Sequence, residues 1–244
     1  MTTRLLMWSG PRNISTAMMR SFDARGDCAV VDEPFYAYYL QATGIHHPGR
    51  EEILKSQPTD WEGVVHQLTG PVPNGHPIWY QKHMAQHLQP GMALDWMRDC
   101  VNAFLIREPA DVAASYARTR PNLSLEDLGF TQQWALFKVV TEQWRQPAII
   151  LDSKDVLMYP RDSLRHLCTA CGIPFLDRML SWRPGSRDTD GVWAKHWYAS
   201  VEASTGFQPY EARTHKLRPR VREVVEKAQK IYDALYERRI RVNE

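Results

Sequence analysis

The sequence predicts an α/β fold, with helices on both faces of a central, mainly parallel sheet of about five strands. Three observations carry this expectation. Five short runs, RLLMW (4–8), CAVV (28–31), PIWYQ (77–81), VNAFLI (101–106) and PAIIL (147–151), are nearly continuous in apolar or aromatic character. A strand covered on both faces reads that way, whereas a half-solvated strand alternates. Segments of helical periodicity separate the runs, which is the order a parallel sheet of crossover units requires. Finally, 244 residues with 43% hydrophobic and 24% charged side chains lie in the ordinary globular range and suffice to bury a core.

Taken in order, RLLMW stops at a Ser-Gly-Pro turn, and Ser15–Ala24 follows with helical spacing. CAVV runs into Asp32-Glu33-Pro34. PIWYQ is followed by Lys82 and His83. VNAFLI leads to Arg107 and then Pro109, which suits an early helix position where its missing N–H is no loss; a helix over Ala110–Arg118 is expected. Further helices are expected at Thr131–Gln146 and at Arg161–Cys171, the latter closed by Gly172. The last, Arg218–Arg238, has Val221, Val224, Val225, Ala228, Ile231, Tyr232 and Leu235 on one stripe. Neither repeats nor low-complexity linkers are evident. A single domain over 1–244 is expected, with turn-rich, lid-like insertions near 46–77 and 183–210.

A formal net charge of +2 gives no electrostatic case for nucleic acid or a membrane surface as partner, so any anion chemistry must be local. No apolar run approaches the ~20 residues of a membrane span. The first strand begins at Arg4 without a leader-like pattern before it, and a cytoplasmic location is expected. Oligomeric state is not readable, and a homodimer stays open. Cys168 and Cys171 form CTAC, but a second ligand pair at metal spacing is lacking. On a helix they share one face, and packing is expected of them.

The stretch SGPRNIST (9–16) places a tight turn, a cation, and two hydroxyls at the start of a helix after a strand. That arrangement suits phosphate or sulfate. It is not the NTPase loop, which needs a second glycine and a lysine. A second strand-to-helix junction, FLIREPADVAASY (104–116), carries Arg107 at the strand end and Ser115 eight residues on. Two anion sites at carboxyl ends of one sheet suggest a ligand with two separated anionic groups.

These motifs resemble the sulfotransferases that use 3′-phosphoadenosine 5′-phosphosulfate (PAPS). The family's loop Y-P-K-S-G-T-T is similar to Gly10-Pro11-Arg12-Asn13-Ile14-Ser15-Thr16, with Arg12 in place of lysine and Ile14 in place of glycine. Its R-x-P-x-D-V-x-x-S element is matched by Arg107, Pro109, Asp111, Val112 and Ser115. A third stretch, residues 148–175, is similar to the strand-helix segment before the family's closing loop. The resemblance covers about residues 4–175. It implies a three-layer, P-loop-NTPase-like fold and PAPS as donor, with adenosine 3′,5′-bisphosphate as product. Pro11, Arg12, Asn13, Ile14, Ser15 and Thr16 would hold the 5′-phosphosulfate, and Arg107 and Ser115 the 3′-phosphate. The scheme calls for no metal and for a small-molecule acceptor.

Sulfuryl transfer needs a cation against the leaving phosphate and a base for the acceptor's proton, by analogy with phosphoryl transfer. Arg12 is the candidate cation. His83 is the first candidate base, since family members carry a catalytic histidine at a similar strand end and an ordinary imidazole suits the task. Glu33, just past the second strand, is the second. Lys82 faces the sulfate or packs outward. Later, SWRPGSRDTDGVWAKHWY (181–198) raises Arg183 or Arg187 as a further 3′-phosphate ligand, although the family's R-K-G signature is absent. Two other readings stay open. AVVDEP (29–34) looks like the acidic strand end of a Mg²⁺-dependent NTPase or kinase, and a relative that binds nucleotide without turnover is equally compatible.

Overall fold

In a computed structural model, residues 2–117 and 123–242 are described. Strands β1 (Thr3–Ser9), β2 (Cys28–Asp32), β3 (Ile78–Met84), β4 (Val101–Ile106) and β5 (Ile149–Asp152) form one sheet in the order β2-β3-β1-β4-β5. Every pairing is parallel. All five apolar runs are therefore strands, to within three residues at either end.

The helices are α1 (Ser15–Asp23), α2 (Tyr36–Thr43), α3 (Arg50–Ser56), α4 (Trp61–Thr69), α5 (Pro109–Tyr116), α6 (Phe130–Lys138), α7 (Ser153–Met158), α8 (Pro160–Ala170), α9 (Ala194–Trp197), α10 (Ala199–Glu202) and α11 (Pro219–Tyr236). They cover both faces. Leu6, Trp8, Phe104 and Ile150 point into a core shared with α5, α6 and α11. Leu5, Met7, Leu105 and Leu151 point the other way, onto α1 and α8. Alternate residues of one strand thus enter different cores, which is why the runs carry no polar gaps.

Three expectations are adjusted. The helix foreseen over 131–146 is α-helical only to Lys138 and continues as a π-turn over Val139–Gln143, where Trp144 N–H reaches the Val139 carbonyl. A run of β-branched Val139, Val140 and Thr141 crowds the ordinary α geometry there. Arg118, foreseen as a helix end, lies outside the described residues. The turn-rich stretch 46–77 contains two helices, of which α3 packs against Trp193 and Tyr198, whereas α4 covers the sheet face near Ala29 and Trp79. As foreseen, α8 ends at Gly172 (φ 67°), with Ile173 N–H returning to the Cys168 carbonyl at 3.0 Å. Burial raises the Cys168 and Cys171 thiols to about 11 and about 12, so both pack as inert side chains.

Candidate active site

The chain leaves β1 toward β2 and β3 on one side, and β4 toward β5 on the other. The β1–β4 boundary is thus the switch point of the sheet, where a crevice opens at the carboxyl ends of the strands. Both anion motifs sit there. Ser9 and Leu105 are register partners, so the loops after them emerge side by side.

The first loop is shaped by close approach. A Cβ on Gly10 would lie 2.4 Å from the Leu128 carbonyl oxygen, so a side chain is excluded at this position. Arg12 takes the left-handed conformation (φ 55°). Asn13 then ties the loop to β4: its Nδ2 donates to the Leu105 carbonyl at 2.9 Å, and its Oδ1 accepts from Ile14 N–H at 2.8 Å. Ile14 has φ −87° and packs on the α1-side core. The left-handed turn falls at Arg12, so the position where the family carries glycine needs no glycine here. Pro11 and Ser15 are buried and Thr16 half-buried. As first-turn residues of α1, Ser15 and Thr16 have N–H groups without intrahelical acceptors.

Arg107 joins the two motifs. Its Nη1 donates to the Arg12 carbonyl at 2.9 Å, and Arg12 Nε in turn donates to Ser115 Oγ at 3.0 Å. Asp111 steadies Arg107 at 3.5 Å and is itself bonded by His215 Nε2 at 2.6 Å. Beside Arg107 a cavity of about 670 Å³ opens, lined among others by Asp152, Lys154, Tyr210, Arg213 and Tyr232. That volume falls in the ligand-pocket range of ~300–1,000 Å³. The late cation facing this cavity is Arg213. Neither Arg183 nor Arg187 lines it, and Arg187 folds its guanidinium onto the carbonyls of its own loop. The basic run RTHKLRPRVR (213–222) was the signal for Arg213, but nothing local ties it to Arg107.

The candidates for proton transfer separate clearly. His83 is 1% exposed, stacked on Trp8 at 4.3 Å, with Phe35 and Trp96 around it. One ring nitrogen meets Gln81 at 3.2 Å and the other has no partner among the described residues. Burial pushes its pKa down to about 3, which leaves a weak base enclosed by aromatic rings. That setting disfavours the base role expected of His83. Lys82 does not point at an anion loop either. Its buried ammonium bonds Asp32 at 2.7 Å, Glu33 at 2.6 Å and the Tyr198 hydroxyl at 2.7 Å. Burial opposes its charge, but the two carboxylates outweigh burial and hold its pKa well above the ordinary value.

Glu33 stands at the carboxyl end of β2 in a left-handed conformation (φ 40°), uncommon for a side chain of this size. Three bonds hold that backbone. Its N–H donates to the Lys82 carbonyl at 2.9 Å, and its carbonyl accepts from Tyr36 N–H and Gln57 Nε2. Burial raises its carboxyl above the ordinary range, against the pull of Lys82. The side chain keeps 11% exposure, and its second oxygen lies 4.0 Å from His87 Nε2. Burial holds His87 well below its ordinary pKa, hence neutral.

A parallel α/β sheet thus carries both strand-end motifs at its switch point, beside one cavity. The sulfotransferase domain model matches residues 3–239, and the chain belongs to that family. Its fold is similar to that of the sulfotransferase from Alicyclobacillus acidocaldarius (13% identity, 98% of each chain covered, TM-score 0.57). It is also similar to the sulfotransferase domain of the Synechococcus PCC 7002 olefin synthase (15% identity, 93% of this chain and 94% of that one, TM-score 0.51). Two Arabidopsis thaliana proteins, branched-chain-amino-acid aminotransferase-like proteins 1 and 2, are 37% and 34% identical over 82% of this chain. The chain spans 36% and 35% of their respective lengths, about a third of each. Among the described residues, no helix is long and apolar enough to cross a membrane, and no cluster of His, Cys, Asp and Glu could hold a metal.

Proposed function

We propose that this chain moves a sulfuryl group from PAPS to a hydroxyl or amine of a small molecule. The observation that carries the reading is the contact chain Ser115–Arg12–Arg107, which makes one site of the two anion motifs and ends at the cavity. Arg107 and Ser115 hold the 3′-phosphate, with Arg213 and Lys154 as further cations on the cavity wall. Pro11 to Thr16 hold the 5′ end, where Arg12 and the first-turn N–H groups of α1 stabilise the charge that grows on the leaving phosphate. Arginine in place of lysine keeps the charge and presents a planar fork that can hold two oxygens at once.

Glu33 takes the acceptor's proton. It shares the carboxyl edge of the sheet with the anion loop, two strands from β1. At ~4.8 Å per strand this is roughly 10 Å, room for an acceptor between base and sulfur. Its raised proton affinity suits a general base better than an ordinary carboxylate would. The kinase reading loses its main support, because both Asp32 oxygens are covered by Lys82, Tyr198 and Gly191 N–H and none is free for Mg²⁺.

The test is thermal protection. Adenosine 3′,5′-bisphosphate at a hundredfold excess over Kd should stabilise the protein by about 2.7 kcal/mol, and ATP with Mg²⁺ by far less. Equal or greater protection by ATP would favour the kinase reading. Protection by the bisphosphate, with no sulfated product across a panel of phenols, alcohols and amines, would leave a binding protein. Arg107→Ala should weaken bisphosphate binding roughly 10- to 100-fold, the equivalent of one charged hydrogen bond of ~1.5–3 kcal/mol. Protection equal to that of the parent chain would remove Arg107 from the site.

A further inference from the structure

Asp32 and Glu33 are adjacent in sequence and share one buried ammonium, yet they are not equally served. Asp32 receives three donors: Lys82 Nζ at 2.7 Å, the Tyr198 hydroxyl at 2.7 Å and Gly191 N–H at 3.2 Å. Glu33 receives one, Lys82 Nζ at 2.6 Å, on a single oxygen. Two carboxylates against one ammonium leave an excess negative charge in a buried place. The carboxylate with fewer donors is the one that gains most from a proton.

The donors that favour Asp32 come from far along the chain. Tyr198 and Gly191 belong to the segment that closes over β2, and the segment is fastened a second time. There Asp190 bonds Arg20 of α1 through both oxygens at 2.6 Å, with both side chains buried. The groups facing Glu33 are Lys82 and His87 from β3 and the turn after it, Asp32 from its own strand, Tyr36 of α2 with His47 on its hydroxyl, and Tyr198 from the late segment. Of these, Lys82 and Tyr198 set the balance between the two carboxylates, and neither is exposed to a substrate.

We propose that Lys82 and Tyr198 are positioning residues that make Glu33, rather than Asp32, the carboxylate of this pair that takes up a proton, on the oxygen that Lys82 leaves uncovered. The inference rests on the reading of Glu33 as base. It makes the late segment, where the sequence raises Arg183 or Arg187 as a 3′-phosphate ligand, part of the acceptor half of the site. During transfer the acceptor's proton would pass to that Glu33 oxygen as its oxygen or nitrogen bonds sulfur. Lys82 stays charged throughout.

The pair can be followed without an acceptor, by NMR titration of ¹³C-labelled glutamate carboxyls, with the Glu33 signal identified by its loss in Glu33→Gln. In the parent protein Glu33 should titrate above the ordinary glutamate value. Lys82→Met should raise it further, by about 1–3 pH units, as loss of an adjacent opposite charge does. Lys82→Arg should restore it. Tyr198→Phe should do the opposite: with one donor fewer, Asp32 takes the proton more readily and leaves Lys82 to Glu33, whose titration falls. Tyr198→Phe removes a single oxygen and decides the question should Lys82→Met not fold. A Glu33 signal unmoved in Tyr198→Phe, or one that titrates like an ordinary glutamate in the parent, overturns the inference. Bisphosphate protection with Glu33 unmoved overturns this inference alone. Absence of protection with the opposed shifts present overturns the transfer reading and leaves the charge ordering standing.

Discussion

Arg12 and Glu33, in the turns that leave β1 and β2, are two of the four non-glycine residues with left-handed backbone conformations among the described residues. Such conformations cost on the order of 1–3 kcal/mol each, and both are held by bonds to neighbouring elements: Arg12 through its carbonyl to Arg107, Glu33 through its N–H to Lys82. At the same scale, Gly10 is required for space. Gly10→Ala would drive a methyl group into the Leu128 carbonyl and should destabilise the protein by ~1–3 kcal/mol, as overpacking does. Chemical denaturation would measure this, and an unchanged midpoint would show that the loop can move aside. Individual residue roles were the least legible part of the sequence. The histidine after PIWYQK was visible as a strand-end residue. That Trp8 of the neighbouring strand stacks on it was not, because the pairing Trp8↔His83 exists only once β1 and β3 are aligned.

At the scale of elements, the late segment is fastened by a buried ion pair as well as by Trp193 and Tyr198 in the core with α2 and α3. Arg20 and Asp190 are 1% and 4% exposed at their side chains, and a buried pair broken on one side typically loses ~3–5 kcal/mol. Asp190→Ala should therefore destabilise strongly, while Arg20→Met combined with Asp190→Leu should recover most of the loss, since apolar replacement of both partners removes the unpaired charge. Equal losses in the single and double variants would show that the segment depends on the pair's geometry. The strands were legible because burial on both faces writes itself into every residue of a run. The path of residues 183–213 was not, because its partners, Arg20, Asp32 and the cavity at Arg107, lie on elements more than a hundred residues away.

At the scale of the molecule, two buried groups give opposing pH dependences. Burial pushes Asp152 up to about 6, although Tyr232 bonds its carboxylate at 2.9 Å. From an unfolded value of ~3.9, the folded state then binds more protons between about pH 4 and 6, so this group makes stability fall as pH rises through that window. His83 runs the other way. Its folded value of about 3 lies below an unfolded ~6.5, so the unfolded state binds more protons and stability rises with pH across that span. Between pH 4 and 6 the two slopes, each up to ~1.4 kcal/mol per pH unit, largely cancel. Relative to the parent, Asp152→Asn should make stability rise more steeply from pH 4 to 6, and His83→Phe should make it fall. Denaturant midpoints across that range would test both, and parallel curves for parent and variants would contradict both assignments.

By itself the sequence determined the sheet, the position of both anion motifs and the family, because continuous burial and a short phosphate-binding pattern are written in neighbouring residues. Tertiary structure decided which side chains of those motifs touch and which cation faces the cavity. It also buried His83 among Trp8, Phe35 and Trp96, which is why the base role is proposed for Glu33. A pKa depends on everything within a few ångströms of the group, and at this site most of that is brought from distant parts of the chain.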